Sequence, residues 1–273
     1  MGSGSLALLD QLLAAYVEPG DEVVHAWRSY EAYPISIAVA HGRGVPVGNT
    51  PDGGHDLPAL AAAVAAARSP AALVLCNPNN PTGAAFGLDP LLQLLAAVPE
   101  DVLVVLDEAY HDFVPAERSF DALALLAGHR NLVVLRTFSK AYSLAGLRVG
   151  YAVADPEVIA ALRAVQPPFP VSAPAAAAAV AALADRSHRD ATVALVTAQR
   201  DELTAALRAE GLPVVDSAAN FVWLPLGERA VRAAERCAAA GVAVRCFAGD
   251  GLRISVGHAG LVPAVVAALR GLR

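Results

Sequence analysis

Three short segments, residues 71–77, 102–108 and 132–138, are aliphatic at nearly every position instead of at alternate ones. A strand with that pattern must bury both of its faces, which happens when layers of helix cover a mostly parallel sheet on either side. Shorter strand-like runs at 22–27, 45–49 and 148–154 belong to the same series. Residues 5–17 carry apolar positions at helical spacing and are stopped by Pro19-Gly20, and further helix candidates lie at 57–68, 88–97 and 119–128. Strands alternating with helices predict an α/β fold. From Asp155 the character changes. An alanine-rich stretch predicts one long connecting helix over 174–209. Strands at 220–226, 242–247 and 252–257 follow, with helices at 228–240 and 260–270. The expected division is a large domain over 1–168 and a smaller α+β domain over 169–273.

Composition narrows the chemistry. The 273 residues carry 20 basic and 26 acidic side chains, a net charge of −6, with no basic run, so no footprint for nucleic acid is expected. No apolar run reaches bilayer length and no signal-peptide pattern opens the chain, so no membrane partner and a cytoplasmic location are expected. The three cysteines, Cys76, Cys237 and Cys246, lack zinc-ligand spacing, and the seven histidines are scattered. No metal is assigned.

In an open α/β sheet, ligands bind beyond the C-terminal ends of the strands. At one such end stands Thr137-Phe138-Ser139-Lys140-Ala141-Tyr142, and Arg148 follows eight positions after the lysine. Two hydroxyls and a guanidinium fork suit a phosphate dianion. The lysine among them suits covalent attachment to an aldehyde, provided its charge can be given up. The set reads as a lysine that holds pyridoxal 5′-phosphate. Asp107 ends the aliphatic run Val-Leu-Val-Val-Leu-Asp-Glu. A carboxylate there needs a cation or several donors to offset desolvation, and a pyridinium nitrogen is such a cation. Glu108 reads as a solvated strand-end acid, Trp27 and Tyr33 as core. Gly2-Ser3-Gly4-Ser5 precedes the first helix, where free backbone N–H groups favour phosphate, with Ser5 and the Leu6 amide as candidates.

These motifs, with Asn77-Pro78-Asn79-Asn80-Pro81-Thr82-Gly83, Asp107-Glu108-Ala109-Tyr110, Ala219-Asn220-Phe221-Val222 and Leu252-Arg253-Ile254-Ser255-Val256-Gly257, resemble fold-type-I pyridoxal-phosphate aminotransferases in order and spacing. More narrowly the chain resembles histidinol-phosphate aminotransferase and the related aromatic (phenylalanine) aminotransferases. The resemblance implies that Lys140, Asp107 and Tyr110 are catalytic. It implies that Ser5, Leu6, Tyr30, Asn80, Asp107, Tyr110, Thr137, Ser139, Lys140 and Arg148 hold the cofactor, Tyr30 by stacking and Asn80 and Tyr110 at its 3′-oxygen. Arg253 is expected on the substrate α-carboxylate and Arg245 on its distal group. The implied reaction moves an amino group between histidinol phosphate or an aromatic amino acid and 2-oxoglutarate, in a homodimer.

The resemblance also implies several dozen residues ahead of the Gly-Ser turn, bearing an arm and a tyrosine that reaches the neighbouring subunit's phosphate site. Met1 stands where an apolar strand residue is expected, so a chain lacking its opening segment is anticipated. A decarboxylase or carbon–sulfur lyase of the same fold would keep Lys140 and Asp107. A non-catalytic, cofactor-binding remnant is the alternative from outside the enzymes.

Overall fold

The computed structural model describes residues 1–272. Six strands form the larger sheet: β1 (Glu22–Trp27), β2 (Arg43–Gly48), β3 (Pro70–Cys76), β4 (Leu103–Asp107), β5 (Leu132–Thr137) and β6 (Gly150–Ala154). Their order is β2-β1-β3-β4-β5-β6, every neighbouring pair parallel except β5 and β6. Side chains alternate between two cores, as a period of two requires. Val23, Val74, Val105, Val133 and Leu135 pack on one face against α1 (Ser5–Tyr16), α2 (Tyr33–Val39) and α5 (Pro156–Val165). Val24, Leu73, Leu75, Val104 and Leu106 face α3 (Leu57–Ala66) and α4 (Leu88–Ala97). Both faces are covered, which is why β3 and the first four residues of β4 and of β5 read as apolar runs. Helix α1 buries Leu8, Leu9, Leu12 and Leu13 completely or nearly so. At roughly 1.5–3 kcal/mol per buried side chain, these four anchor the helix whose first turn borders the site.

The smaller sheet is antiparallel, in the order β7-β9-β8, from β7 (Phe221–Leu224), β8 (Arg245–Phe247) and β9 (Gly251–Ser255). Against it pack α7 (Arg186–Ala209), α8 (Arg229–Ala239) and α9 (Leu261–Leu269), through Leu203, Leu207, Cys237 and Leu269. No helix among the described residues is long and apolar enough to cross a membrane.

The long helix expected over 174–209 is two helices, α6 (Ala173–Ala184) and α7. Asp185 breaks it, because its carboxylate accepts from the His188 amide at 3.1 Å and caps α7. The helix expected over 119–128 is only a 3-10 turn at Ala122–Leu125. Helices α2 and α5 were absent from the sequence expectations. Each carries proline in its first turn, and Asp155 caps α5 by accepting from the Glu157 amide.

Candidate active site

Because β1, β3, β4 and β5 are parallel, their last residues, Trp27, Cys76, Asp107 and Thr137, fall along one edge of the sheet. Antiparallel β6 begins at that edge, with Arg148 just before it. A cleft of about 430 Å³ opens there, bordered on its other side by the β8–β9 hairpin.

Asp107 and Lys140 form the floor of the cleft. One Asp107 oxygen accepts from the Ala109 amide and the other from the Tyr33 hydroxyl, both at 3.1 Å. Burial nevertheless pushes the carboxyl up to about 6, against the pull of Tyr33, Ala109 and Lys140. An acid so placed is short of a cation. Lys140 is half-buried, with Nζ 5.2 Å from the Tyr110 ring centre. Burial first, then Arg253 and Arg148, lower the pKa of its amine, while Asp107 opposes them. Such an amine yields its proton more readily than a surface lysine, as nucleophilic attack on a carbonyl requires. Lys140 is also the only lysine in the chain, and every other basic position is arginine.

Next to the floor lies a cradle of donors. Helix α1 starts at Ser5 behind Gly4, which offers no side-chain cap, so its first amides stay free for an anion. The amide and carbonyl of Gly2 pair with those of Gly150 at 3.0 Å, stitching this turn to β6. A Cβ on Gly150 would lie 2.6 Å from the Ser5 nitrogen, so only glycine permits the approach. Thr137 Oγ1 accepts from the Ser139 amide at 3.1 Å, and Arg148 Nη1 donates to Ser139 Oγ at 3.3 Å. Arg148 itself sits at φ 53, a left-handed conformation unusual outside glycine, with its guanidinium also donating to the Ala145 and Ser3 carbonyls.

The opposite side is a rim of aromatic and charged groups: Tyr30, Glu31, Arg245, Phe247 and Arg253 line it. Arg253 Nη1 donates to Asn80 Oδ1, and its guanidinium lies 5.2 Å from the Phe221 ring. Its Nε is buried without a partner. Arg245 forms an ion pair with Glu31. All the candidate cofactor, catalytic and substrate residues of the sequence, from Ser5 to Arg253, line this one cleft.

Two expectations are corrected. Glu108 is not solvated: it is 4 % exposed, paired with Arg136 at 2.8 Å, and raised to about 7 by burial. The cation comes from the neighbouring strand β5, which sequence spacing does not reveal. Trp27 is half-buried, with the Arg28 guanidinium 4.2 Å above its ring. Sequence reasoning also missed four contributors. Tyr33, placed only in the core, is the hydroxyl partner of Asp107. Glu31 and Phe247 carry no motif. Buried Arg200 on α7 donates to the Phe113 and Ala219 carbonyls, tying α7 to the segments that bear Tyr110 and Phe221. The invariant charge of an arginine in a helix of mixed polarity offered no signal for that role.

The sequence model of the family described as "Aminotransferase class I and II" matches residues 1–269. The chain is 48% identical over 257 residues to an aromatic amino acid aminotransferase of Thermobifida fusca, covering 94% of this chain and 71% of that protein. Among solved structures, the histidinol-phosphate aminotransferase of Sinorhizobium meliloti in complex with pyridoxal-5′-phosphate superposes with a TM-score of 0.91 at 32% identity, over 99% of this chain and 75% of that one. The aspartate aminotransferase of Thermus thermophilus with maleate gives 0.87 at 28%, over 100% and 75%. The site suits the cofactor this family implies: an amine of lowered pKa, a buried carboxyl short of a cation, and a helix start, two hydroxyls and a guanidinium gathered as a phosphate would need. The chain belongs to the class I and II aminotransferases, enzymes that transfer amino groups with pyridoxal phosphate.

Proposed function

We propose that the chain moves an amino group from an aromatic amino acid to 2-oxoglutarate, with the residues of this one cleft as its machinery. The observation that carries the reading is the meeting of Lys140, Asp107 and Arg253 in a single cleft, although they come from two different sheets. When bound, pyridoxal phosphate supplies an aldehyde that takes up amines and a ring that accepts the electron pair of a broken Cα–H bond. Lys140 would hold the aldehyde through its amine, and the same amine, when free, would move a proton at the substrate Cα. Asp107 would pair with the pyridine nitrogen and keep it protonated. Ser5, the Leu6 amide, Thr137, Ser139 and Arg148 would hold the phosphate. Tyr30 would stack on the ring, and Asn80 and Tyr110 would serve its 3′-oxygen. Arg253 grips the α-carboxylate and Arg245 reads the distal group.

An aromatic donor is supported by the 48% identity to an aromatic amino acid aminotransferase and by the rings of Tyr30, Tyr110 and Phe247 around the cleft. Histidinol phosphate is the second reading, favoured by the likeness to the Sinorhizobium meliloti enzyme. A homodimer is proposed because Leu147, 40 % exposed, and Phe169, 94 % exposed, leave apolar surface uncovered on the loops after Lys140 and α5. We place the domain division at 168/169 and the protein in the cytoplasm.

Borohydride treatment of the protein with saturating pyridoxal phosphate tests the reading. A phosphopyridoxyl group on Lys140 is expected, together with higher kcat/KM for phenylalanine or tyrosine than for histidinol phosphate. Folded protein that takes no label at Lys140 would sink the assignment. The reverse order of donors would select histidinol phosphate.

A further inference from the structure

Two ion pairs connect the loop after β1 to the β8–β9 hairpin, and only Arg245–Glu31 lines the cleft. Arg28 pairs with Asp250, and its guanidinium also lies 4.2 Å from the Trp27 ring and 5.5 Å from the Phe247 ring. Its own carbonyl accepts from Asn49 and Asn79. Arg28 is thus held by its neighbours, with a side chain only 24 % exposed, although Asp250 is 40 % exposed. Arg245 and Glu31 have side chains 56 % and 39 % exposed, and the Phe247 ring lies 5.9 Å from the guanidinium. An exposed pair of this kind contributes little, so a competing carboxylate displaces one partner at small cost.

A transaminase of this kind admits two dissimilar substrates to one site, an aromatic amino acid and a dicarboxylic keto acid. A free guanidinium beside the cleft would favour the second, whose distal carboxylate can pair with it, over the first, which offers no such group. We infer that Glu31 is the residue that sets this choice. It neutralises Arg245 while an aromatic side chain occupies the cleft, and releases it to the distal carboxylate of the keto acid. Exchange of one carboxylate for another leaves Arg245 with an anionic partner in both half-reactions, while the displaced Glu31 turns to solvent. Glu31 acts through Arg245 and is a positioning residue. The inference rests on the reading above that Arg245 faces the substrate's distal group.

Calorimetric titration of the cofactor-loaded protein with two unreactive acids separates the possibilities: glutarate carries the distal carboxylate, and 3-phenylpropanoate carries a ring in its place. Glu31→Gln is expected to raise the preference for glutarate over 3-phenylpropanoate about tenfold. Arg245→Gln should lower it by a similar factor, and the double variant should match Arg245→Gln. The ratio of kcat/KM for 2-oxoglutarate to that for phenylpyruvate should move in the same directions. If Arg245→Gln lowers the preference but Glu31→Gln leaves it unchanged or lowers it, the role of Glu31 is refuted while that of Arg245 stands. If Arg245→Gln has no effect, the reading of Arg245 fails first. A double variant that keeps the Glu31→Gln gain shows that Glu31 does not act through Arg245, and the inference falls.

Discussion

The floor and the rim of the cleft are built on opposite principles. Asp107 and Thr137 are the final residues of buried parallel strands, locked by their neighbours in the sheet, and Lys140 follows Thr137 in the next turn. Glu31, Arg245, Asp250 and Arg253 come from a loop and a three-stranded antiparallel sheet, and side-chain contacts tie them to one another, to Arg28 and to Asn80. Rigid strand ends suit groups that must hold a proton or a covalent bond in one place. Loosely held charged groups suit recognition of substrates that differ in shape. Floor substitutions should therefore lower kcat, and rim substitutions should chiefly alter KM.

The largest expected effect is at Lys140. Lys140→Arg keeps the charge but removes the amine that carries the proton, and single-turnover rates with phenylalanine should fall by at least ~10³-fold. A smaller loss would move the proton transfer elsewhere on the floor.

Asp107→Asn comes next, with a loss of roughly 10²–10³-fold in single-turnover rate and little change in KM, since a neutral partner no longer holds the pyridine nitrogen protonated. The same variant carries a test in the cofactor-free protein. The Asp107 carboxyl titrates at about 6, above its ordinary 3.8, so its stabilising contribution is complete at low pH and is lost as pH rises from 4 through 6. His25 and His55, whose pKa values burial lowers, act in the opposite sense over that range, so the comparison must be between variants. The thermal midpoint of Asp107→Asn relative to wild type should rise between pH 4 and pH 8. A difference that stays flat would mean that Asp107 is not short of a cation.

On the rim, Arg253→Gln should raise KM for both substrates about 10–100-fold, the worth of about 1.5–3 kcal/mol in a charge-assisted contact, with kcat much less affected. A loss confined to kcat would place Arg253 with the floor. The smallest effect is expected for Tyr30→Leu, which gives up stacking worth about 0.5–1.5 kcal/mol and should weaken cofactor retention by several-fold in equilibrium dialysis.

The floor was legible in the sequence because its rules are local. A wholly apolar run announces a parallel strand, and the polar residue at its end announces the site edge, so Asp107, Thr137 and the strands behind them could be located in advance. The partners on the rim could not. Arg245 and Glu31 are 214 positions apart and Arg28 and Asp250 are 222 apart, and nothing in the spacing pairs them. Glu108 was misjudged for the same reason, since the arginine that accompanies it indoors belongs to another strand. Asp185 was overlooked because a single capping residue interrupts an alanine-rich pattern without changing its apolar character. Pro34 and Pro156, by contrast, were readable signals of α2 and α5 that went unused.

A chain whose only lysine lies in the active-site cleft has a surface almost free of primary amines. Aldehydes in the surrounding solution, the cofactor included, therefore find few competing sites on this protein, because guanidinium groups stay protonated and condense poorly. Within this sequence Lys140 is the one lysine at which such an aldehyde can attach. After borohydride reduction, cofactor stoichiometry can thus be read from covalent mass, without the background of adventitious adducts that a lysine-rich enzyme accumulates.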